Sequence, residues 1–232
     1  MNLRDALLLG RVSNLPTVWA NMLAGMVLAG GILAPASLVL AGLAFTLFYL
    51  GGMYLNDAFD ANIDARERPE RPIPAGRVSR QTVYVAGYLM LFAGVGLLGY
   101  LALAGQHGLL PLWAGVGLAC AIVAYDAYHK SNPLSPLIMG LCRMLVYVAA
   151  GALVAAQLGP SLWLGAGACL AWLIGLTYVA KQENLGRVKN MWPLAFLAAP
   201  VLYGVFAASG AGWSAWALVG AVAIWALICL RF

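Results

Sequence analysis

The chain has 232 residues, of which 63% are hydrophobic and 9% charged, with a net charge of +5 and a mean hydropathy of +0.88. Ordinary soluble domains are about half apolar and about a quarter charged. The composition therefore excludes them and points to a polytopic membrane protein. The four cysteines, Cys120, Cys142, Cys169 and Cys229, stand singly in apolar stretches, without the paired spacing that holds zinc.

Residues 2–12 come first. They suit a short interfacial helix, with Leu3, Leu7 and Leu8 toward lipid and Arg4, Asp5 and Arg11 toward water. Their apolar run is too short for a cleaved signal peptide. A membrane-crossing helix needs about 20 apolar residues. By that measure spans are predicted over 16–33, 36–55, 82–103, 109–125, 137–157, 161–180, 192–208 and 214–230. Polar clusters follow the second, fourth and sixth of these, at 56–80, 126–132 and 181–190. The intervening loops, near 31–36, 105–108, 158–160 and 209–213, contain no Lys, Arg, Asp or Glu. Arg143, inside the fifth span, is the one charge that does not fall on the polar side.

Basic loops stay in the cytoplasm, so that side and both termini are expected there. The fold expected is all-α: a transmembrane helical bundle of about eight spans, a single domain over 1–232, with a cytoplasmic polar cap. The positive charge then reads as topology and as affinity for anionic lipid headgroups, with no nucleic-acid partner. Three polar loops at one end of a helical ring would enclose one polar mouth above an apolar chamber. That shape suits an amphipathic substrate.

The first cluster carries the chemistry. Residues 56–80 hold three aspartates, two glutamates and five arginines. At about 100° per residue, Asn56, Asp57, Asp60 and Asp64 lie at about 0°, 100°, 40° and 80° around a helix. All four share one face. Carboxylates crowded this way repel, and Mg²⁺, which takes one or two carboxylates plus phosphate oxygens, relieves the repulsion. Arg66, Arg68, Arg71, Arg77 and Arg80 follow, and guanidinium forks match phosphate. Pro69, Pro72 and Pro74 stop the helix and put the arginines on a loop that folds back. The bland alternative is a solvated acidic helix end.

The order Asn56-Asp57, Asp60, Asp64, Arg68, Arg71-Pro72, Pro74, Gly76 resembles the first aspartate-rich motif of the UbiA-type intramembrane prenyltransferases. The resemblance implies a membrane enzyme that binds a prenyl diphosphate through Mg²⁺ and passes the prenyl group to a lipophilic or aromatic acceptor. It implies that Asp57, Asp60 and Asp64 hold the metal and are catalytic, and that Asn56, Arg68 and Arg71 bind substrate. The N-terminal segment from Arg11 through Asn14 and Asn21, the 125–143 segment and the Thr177–Ala180 turn look like the EboC-like branch of that superfamily. By the same resemblance Asn14 contacts substrate; hydrogen bonding between helices serves it equally well.

In the second cluster Asp126 and Lys130 are four apart and share a helix face. Resemblance to the family's Y-x-x-x-K segment places Lys130 near the diphosphate with Tyr125 or Tyr128; a plain helix-end ion pair is the alternative. His129 is expected at the surface. Arg143 needs a partner at its depth: Asp126, Glu183 or substrate, unless it snorkels to the interface. In the third cluster the pattern departs. The family's second aspartate-rich motif is replaced by Lys181-Gln182-Glu183, with one acid. Lys181 is expected to meet phosphate itself. A second metal and the usual quinone-type acceptors are put in doubt.

Two other classes compete. A transporter or prenyl-lipid carrier could use the acids as an ion site, but it would carry charges toward the midplane. A CDP-alcohol phosphotransferase would show an Asp-Gly pair, and none occurs.

Overall fold

The computed structural model describes residues 1–129, 132–183, 192–209 and 212–229, and their side chains except those of 180–183, 192–194, 214, 218, 222 and 225–229. The described residues build helices joined by turns: α1 (Leu3–Gly10), α2 (Leu15–Leu28), α3 (Pro35–Glu67), α4 (Arg80–Ala104), α5 (Leu110–Tyr128), α6 (Ser135–Ala152), α7 (Pro160–Glu183), α8 (Ala199–Ala208) and α9 (Trp213–Cys229). Proline stands in the first turn of α2, α3, α5, α6 and α8. Its fixed φ suits that position and its missing N–H costs nothing there.

Each of the eight predicted spans contains helix among the described residues, the fifth ending at Ala152 rather than 157, and five helices, α3 to α7, are long and apolar enough to cross a membrane. The first predicted span is shorter than expected. It stops at Leu28, before Gly30, whose φ of 94° no helix continues. The seventh winds as a 3₁₀ helix over Trp192–Ala198 before α8 begins. Pro193 and Pro200 lack the N–H groups a continuous α-helix would use there.

The decisive element is α3, with 33 residues. At 1.5 Å per residue it is about 50 Å long, against a hydrocarbon core of about 30 Å. Its acidic end therefore stands beyond the apolar layer without a break in the helix. Around it α2, α4, α5, α6 and α7 bury one core that includes Phe45, Phe48, Met26, Leu98, Leu118 and Leu162. Large apolar residues point outward along the same helices, among them Val39, Leu89, Phe92, Leu103 and Trp113. In water such a surface would be a liability; in lipid it is the solvent-matched face.

A smaller cluster of Leu9, Tyr54, Ala58, Val78 and Val83 ties α1 and the 68–79 loop to α3 and α4. The loop turns back at Gly76, whose φ is 71°, a region that favours glycine. One expectation for the N-terminal segment is corrected. Leu3, Leu7 and Leu8 are exposed, but Asp5 is only 2% exposed and accepts from Arg77 at 2.8 Å. Asp5 faces the 68–79 loop through Arg77 rather than water, and Arg11, half-exposed, reaches Asp57.

Candidate active site

The last three turns of α3 present Asn56, Asp57, Asp60 and Asp64, all buried, on one face. The helical spacing anticipated this. The burial comes from what closes over them. Arg71 returns on the loop and its Nη1 meets Asp57 Oδ1 at 3.1 Å and Asp64 Oδ2 at 2.6 Å. Arg11, between α1 and α2, brings Nη2 to Asp57 Oδ1 at 2.7 Å. From the end of α5, His129 Nε2 lies 3.5 Å from Asp60 Oδ2. Asp60 holds that imidazole above its ordinary pKa, against the opposing effect of burial. Asn56 Nδ2 donates to Asp126 Oδ1 at 3.2 Å. The first and second polar clusters thus converge, as the predicted single mouth requires.

The five arginines of the first cluster divide. Arg71 alone reaches the acids. Arg77 pairs with Asp5, while Arg80 donates to the Ala58 carbonyl at 2.7 Å and lies over the Tyr84 ring. Arg66 and Arg68 are exposed. These departures follow from the loop's compact turn, whose backbone bonds run from Ala75 to Arg71 and from Arg77 and Val78 to Pro72. Asn14 is also exposed, in the turn before α2. His129, expected at the surface, is half-buried instead, since the last turn of α5 packs toward α3. Arg143 lies across an apolar chamber from Asp126 and forms no ion pair among the described residues. Lys130 and the side chains of Lys181 and Glu183 lie outside those described.

Two spaces meet at this face. One is a polar cleft of about 590 Å³ between α1 and the 68–79 loop, lined by Arg4, Arg11, Asp57, Arg71 and Arg77. The other is a chamber of about 170 Å³ within the bundle, walled by Phe45, Phe48, Leu118, Ile122, Val146 and Leu173. Among the described residues Asp126 and Arg143 are the charged ones that line it. Asn56 and Asp57 are successive on α3 and so point about 100° apart: Asp57 borders the cleft, and Asn56 bonds to Asp126 at the chamber. A polar head and an apolar tail can therefore be held on either side of one helix face.

The three aspartates are the hard oxygen donors that Mg²⁺ takes, and that ion uses only one or two carboxylates besides water and phosphate. The residues fit it in kind. Among the described residues no three acid, Cys or His side chains form a ready cage. Arg71 stands between Asp57 and Asp64, and His129 beside Asp60. The carboxylates are thus held apart by protein cations.

Sequence reasoning missed Arg11, His129 and the Asp5–Arg77 pair. Arg11 carried one hint, its place just before the first span, on the side of the membrane where the acids lie.

Residues 16–232 match the profile of the UbiA prenyltransferase family. Over 212 residues the chain is 29% identical to the digeranylgeranylglyceryl phosphate synthase of Methanopyrus kandleri, across 87% of this chain and 70% of that protein. Over 113 residues it is 34% identical to the protein of that name from Natronomonas pharaonis, covering 47% of this chain and 37% of the other. The fold is similar to that of a UbiA homologue from Aeropyrum pernix K1, with a TM-score of 0.71 at 20% identity, over 92% of this chain and 86% of that one. It is similar also to a UbiA homologue from Archaeoglobus fulgidus bound to DMAPP and Mg²⁺, with a TM-score of 0.70 at 15% identity, over 97% of this chain and 85% of that one.

Proposed function

The chain belongs to the UbiA prenyltransferase family, and from that premise we propose that it transfers a prenyl group from a prenyl diphosphate to an acceptor within the membrane, with Mg²⁺ as cofactor. The five helices among the described residues that are long and apolar enough to cross a membrane support an integral membrane protein. The observation that carries the reading is the buried face of Asp57, Asp60 and Asp64, set between a polar cleft and an apolar chamber.

In this reading the cleft takes the diphosphate and the chamber the prenyl chain. Asp57, Asp60 and Asp64 would hold the Mg²⁺, which neutralises the leaving diphosphate. Arg71 is the cation best placed to turn from the carboxylates to phosphate, because its Nη1 already sits between them. Arg68, Lys130 and Lys181 are assigned the remaining phosphate charge, and Asn14, Arg143 and Glu183 supporting contacts. The chamber's apolar walls keep water from the allylic carbon once the diphosphate begins to leave. The cap loops face the cytoplasm in this proposal. A carrier using the same acids as an ion site is disfavoured, since the acidic cluster lies at one end of α3 rather than at a broken helix.

The test uses purified protein, labelled prenyl diphosphates of several lengths and a host-lipid extract, with and without Mg²⁺. Binding and a labelled lipid product are expected only with Mg²⁺. Asp60→Asn should abolish the Mg²⁺-dependent binding while the protein still inserts and folds. Unchanged binding in that variant would return the acids to the role of a solvated helix end.

A further inference from the structure

The acid face has a second tie to α1, through a carboxylate that the diphosphate chemistry does not use. Asp5 stands in the first turn of α1 and is 2% exposed. Its Oδ1 accepts from Arg77 Nε at 2.8 Å, and Arg77 Nη2 donates in turn to the Glu70 carbonyl at 3.1 Å. Glu70 immediately precedes Arg71, so that carbonyl and the Arg71 N–H belong to one planar peptide unit. Arg71 Nη1 then meets Asp57 and Asp64. One rigid, planar guanidinium thus fixes the backbone from which the Arg71 side chain sets out.

The far end of this relay is anchored on α3. Tyr54 donates to the Ala6 carbonyl at 3.2 Å, Leu9 is buried in one cluster with Tyr54 and Ala58, and Asn2 Oδ1 accepts from the Asp5 N–H at 2.7 Å. Helix α1 is therefore seated on the same helix that carries the acids. A carboxylate paired at this depth adds little net stability once its desolvation is counted; what the pair supplies is orientation. Resting on the prenyl-transfer reading above, we propose that Asp5 is a positioning residue for the diphosphate. Through Arg77 and the Glu70 carbonyl it holds Arg71 at the acid face, where the diphosphate is received.

Electrostatics alone gives the opposite sign. Asp5 and Arg77 both line the polar cleft. If Asp5 did no more than carry charge there, its removal would free Arg77 and tighten the hold on an anion. A positioning residue does the reverse. Without Asp5, Arg77 is no longer held over the Glu70 carbonyl, Arg71 loses its fixed backbone, and the diphosphate is bound more weakly.

The experiment measures Mg²⁺-dependent binding of a labelled prenyl diphosphate to the full chain in detergent. Hydrogen–deuterium exchange of the 68–79 loop is followed in the same preparations without ligand. Asp5→Ala should weaken binding about tenfold, within the range of couplings between residues of one network. It should also speed exchange at the amides of Ala75, Arg77 and Val78, which are bonded within the loop. Arg71→Ala should weaken binding as well, and adding Asp5→Ala to it should cost nothing further, whereas a general loss of stability would lower binding in both backgrounds. Arg77→Ala, at a side chain 40% exposed, should reproduce the loss from the other end of the relay and replaces Asp5→Ala in the cycle if that variant does not fold. Binding unchanged or tightened in Asp5→Ala, or a full further loss on the Arg71→Ala background, would overturn the assignment, as would unaltered exchange in the loop. Failure of the wild type to bind the prenyl diphosphate would overturn the transferase reading instead, and the loop exchange would still decide whether Asp5 holds the backbone before Arg71.

Discussion

Arg11 shows how much a single residue can be asked to do. Its φ of 42° and ψ of 48° place a non-glycine residue in the left-handed region, at a cost of about 1–2 kcal/mol. Four contacts hold it there: its N–H donates to the Leu8 carbonyl at 3.3 Å, its carbonyl accepts from the Asn14 N–H at 3.1 Å and from the Tyr49 hydroxyl at 3.0 Å, and its guanidinium meets Asp57. Strained residues of this kind persist when their surroundings over-determine them and gather at functional sites. Backbone and side chain can be separated by two substitutions. Both Arg11→Ala and Arg11→Gly remove the ion pair, but only glycine relieves the backbone. Arg11→Gly should therefore be more stable than Arg11→Ala by about 1 kcal/mol, read as a higher Tm by gel filtration after heating in detergent. An alanine variant that melts at or above the glycine variant would contradict the assigned strain.

At the scale of elements, the chamber depends on how closely α2 and α6 approach. They touch at Gly25, where an added Cβ would lie 2.7 Å from the Tyr147 carbonyl oxygen and 2.9 Å from its Cα. Both are backbone atoms, so neither can turn aside. Small residues of this kind let membrane helices meet backbone to backbone. Gly25→Ala should push α2 from α6 and cost about 1–3 kcal/mol, the usual penalty of overpacking. Thermal unfolding of the detergent-purified variant measures it, and a Tm equal to that of the wild type would mean that the two helices are not held at this spacing. The neighbouring contact between Tyr147 and Asn21, at 3.3 Å, should weaken with it. Helix α3 makes the complementary point. Its length, rather than any break, lifts the acids above the apolar layer while Phe45 and Phe48 remain in the core.

At the scale of the molecule, the distribution of charge is nearly complete in its asymmetry. Every Lys, Arg, Asp and Glu except Arg143 falls in the segments assigned to one end, and Arg11, Arg71, Arg77, Asp5 and the α3 acids meet there. The positive-inside rule then predicts that reporter fusions at residues 107 and 210 read as external. A cytoplasmic signal at both would sink this orientation. It would leave the site geometry intact, because that geometry depends on side chains at one end of the bundle and not on which compartment they face.

The sequence by itself determined the membrane class, the helical fold and the acid face, since hydropathy over about 20 residues and a 3.6-residue period are local properties. The motif in 56–80 also pointed to the family that the wider match supports. The partners of those acids were decided elsewhere. Arg71 lies 7 residues from Asp64 and Arg11 lies 46 from Asp57. The Asn56–Asp126 bond spans 70 residues and the Arg77–Asp5 bond 72. No periodicity distinguishes Arg71 from Arg68, or says that Asp5 will be covered rather than wet. Those outcomes wait on a loop folding back over α1 and α3. For the same reason the sequence could mark Asp126 as a polar residue at a helix end, but only the packed bundle could set it at the wall of an apolar chamber, bonded to Asn56.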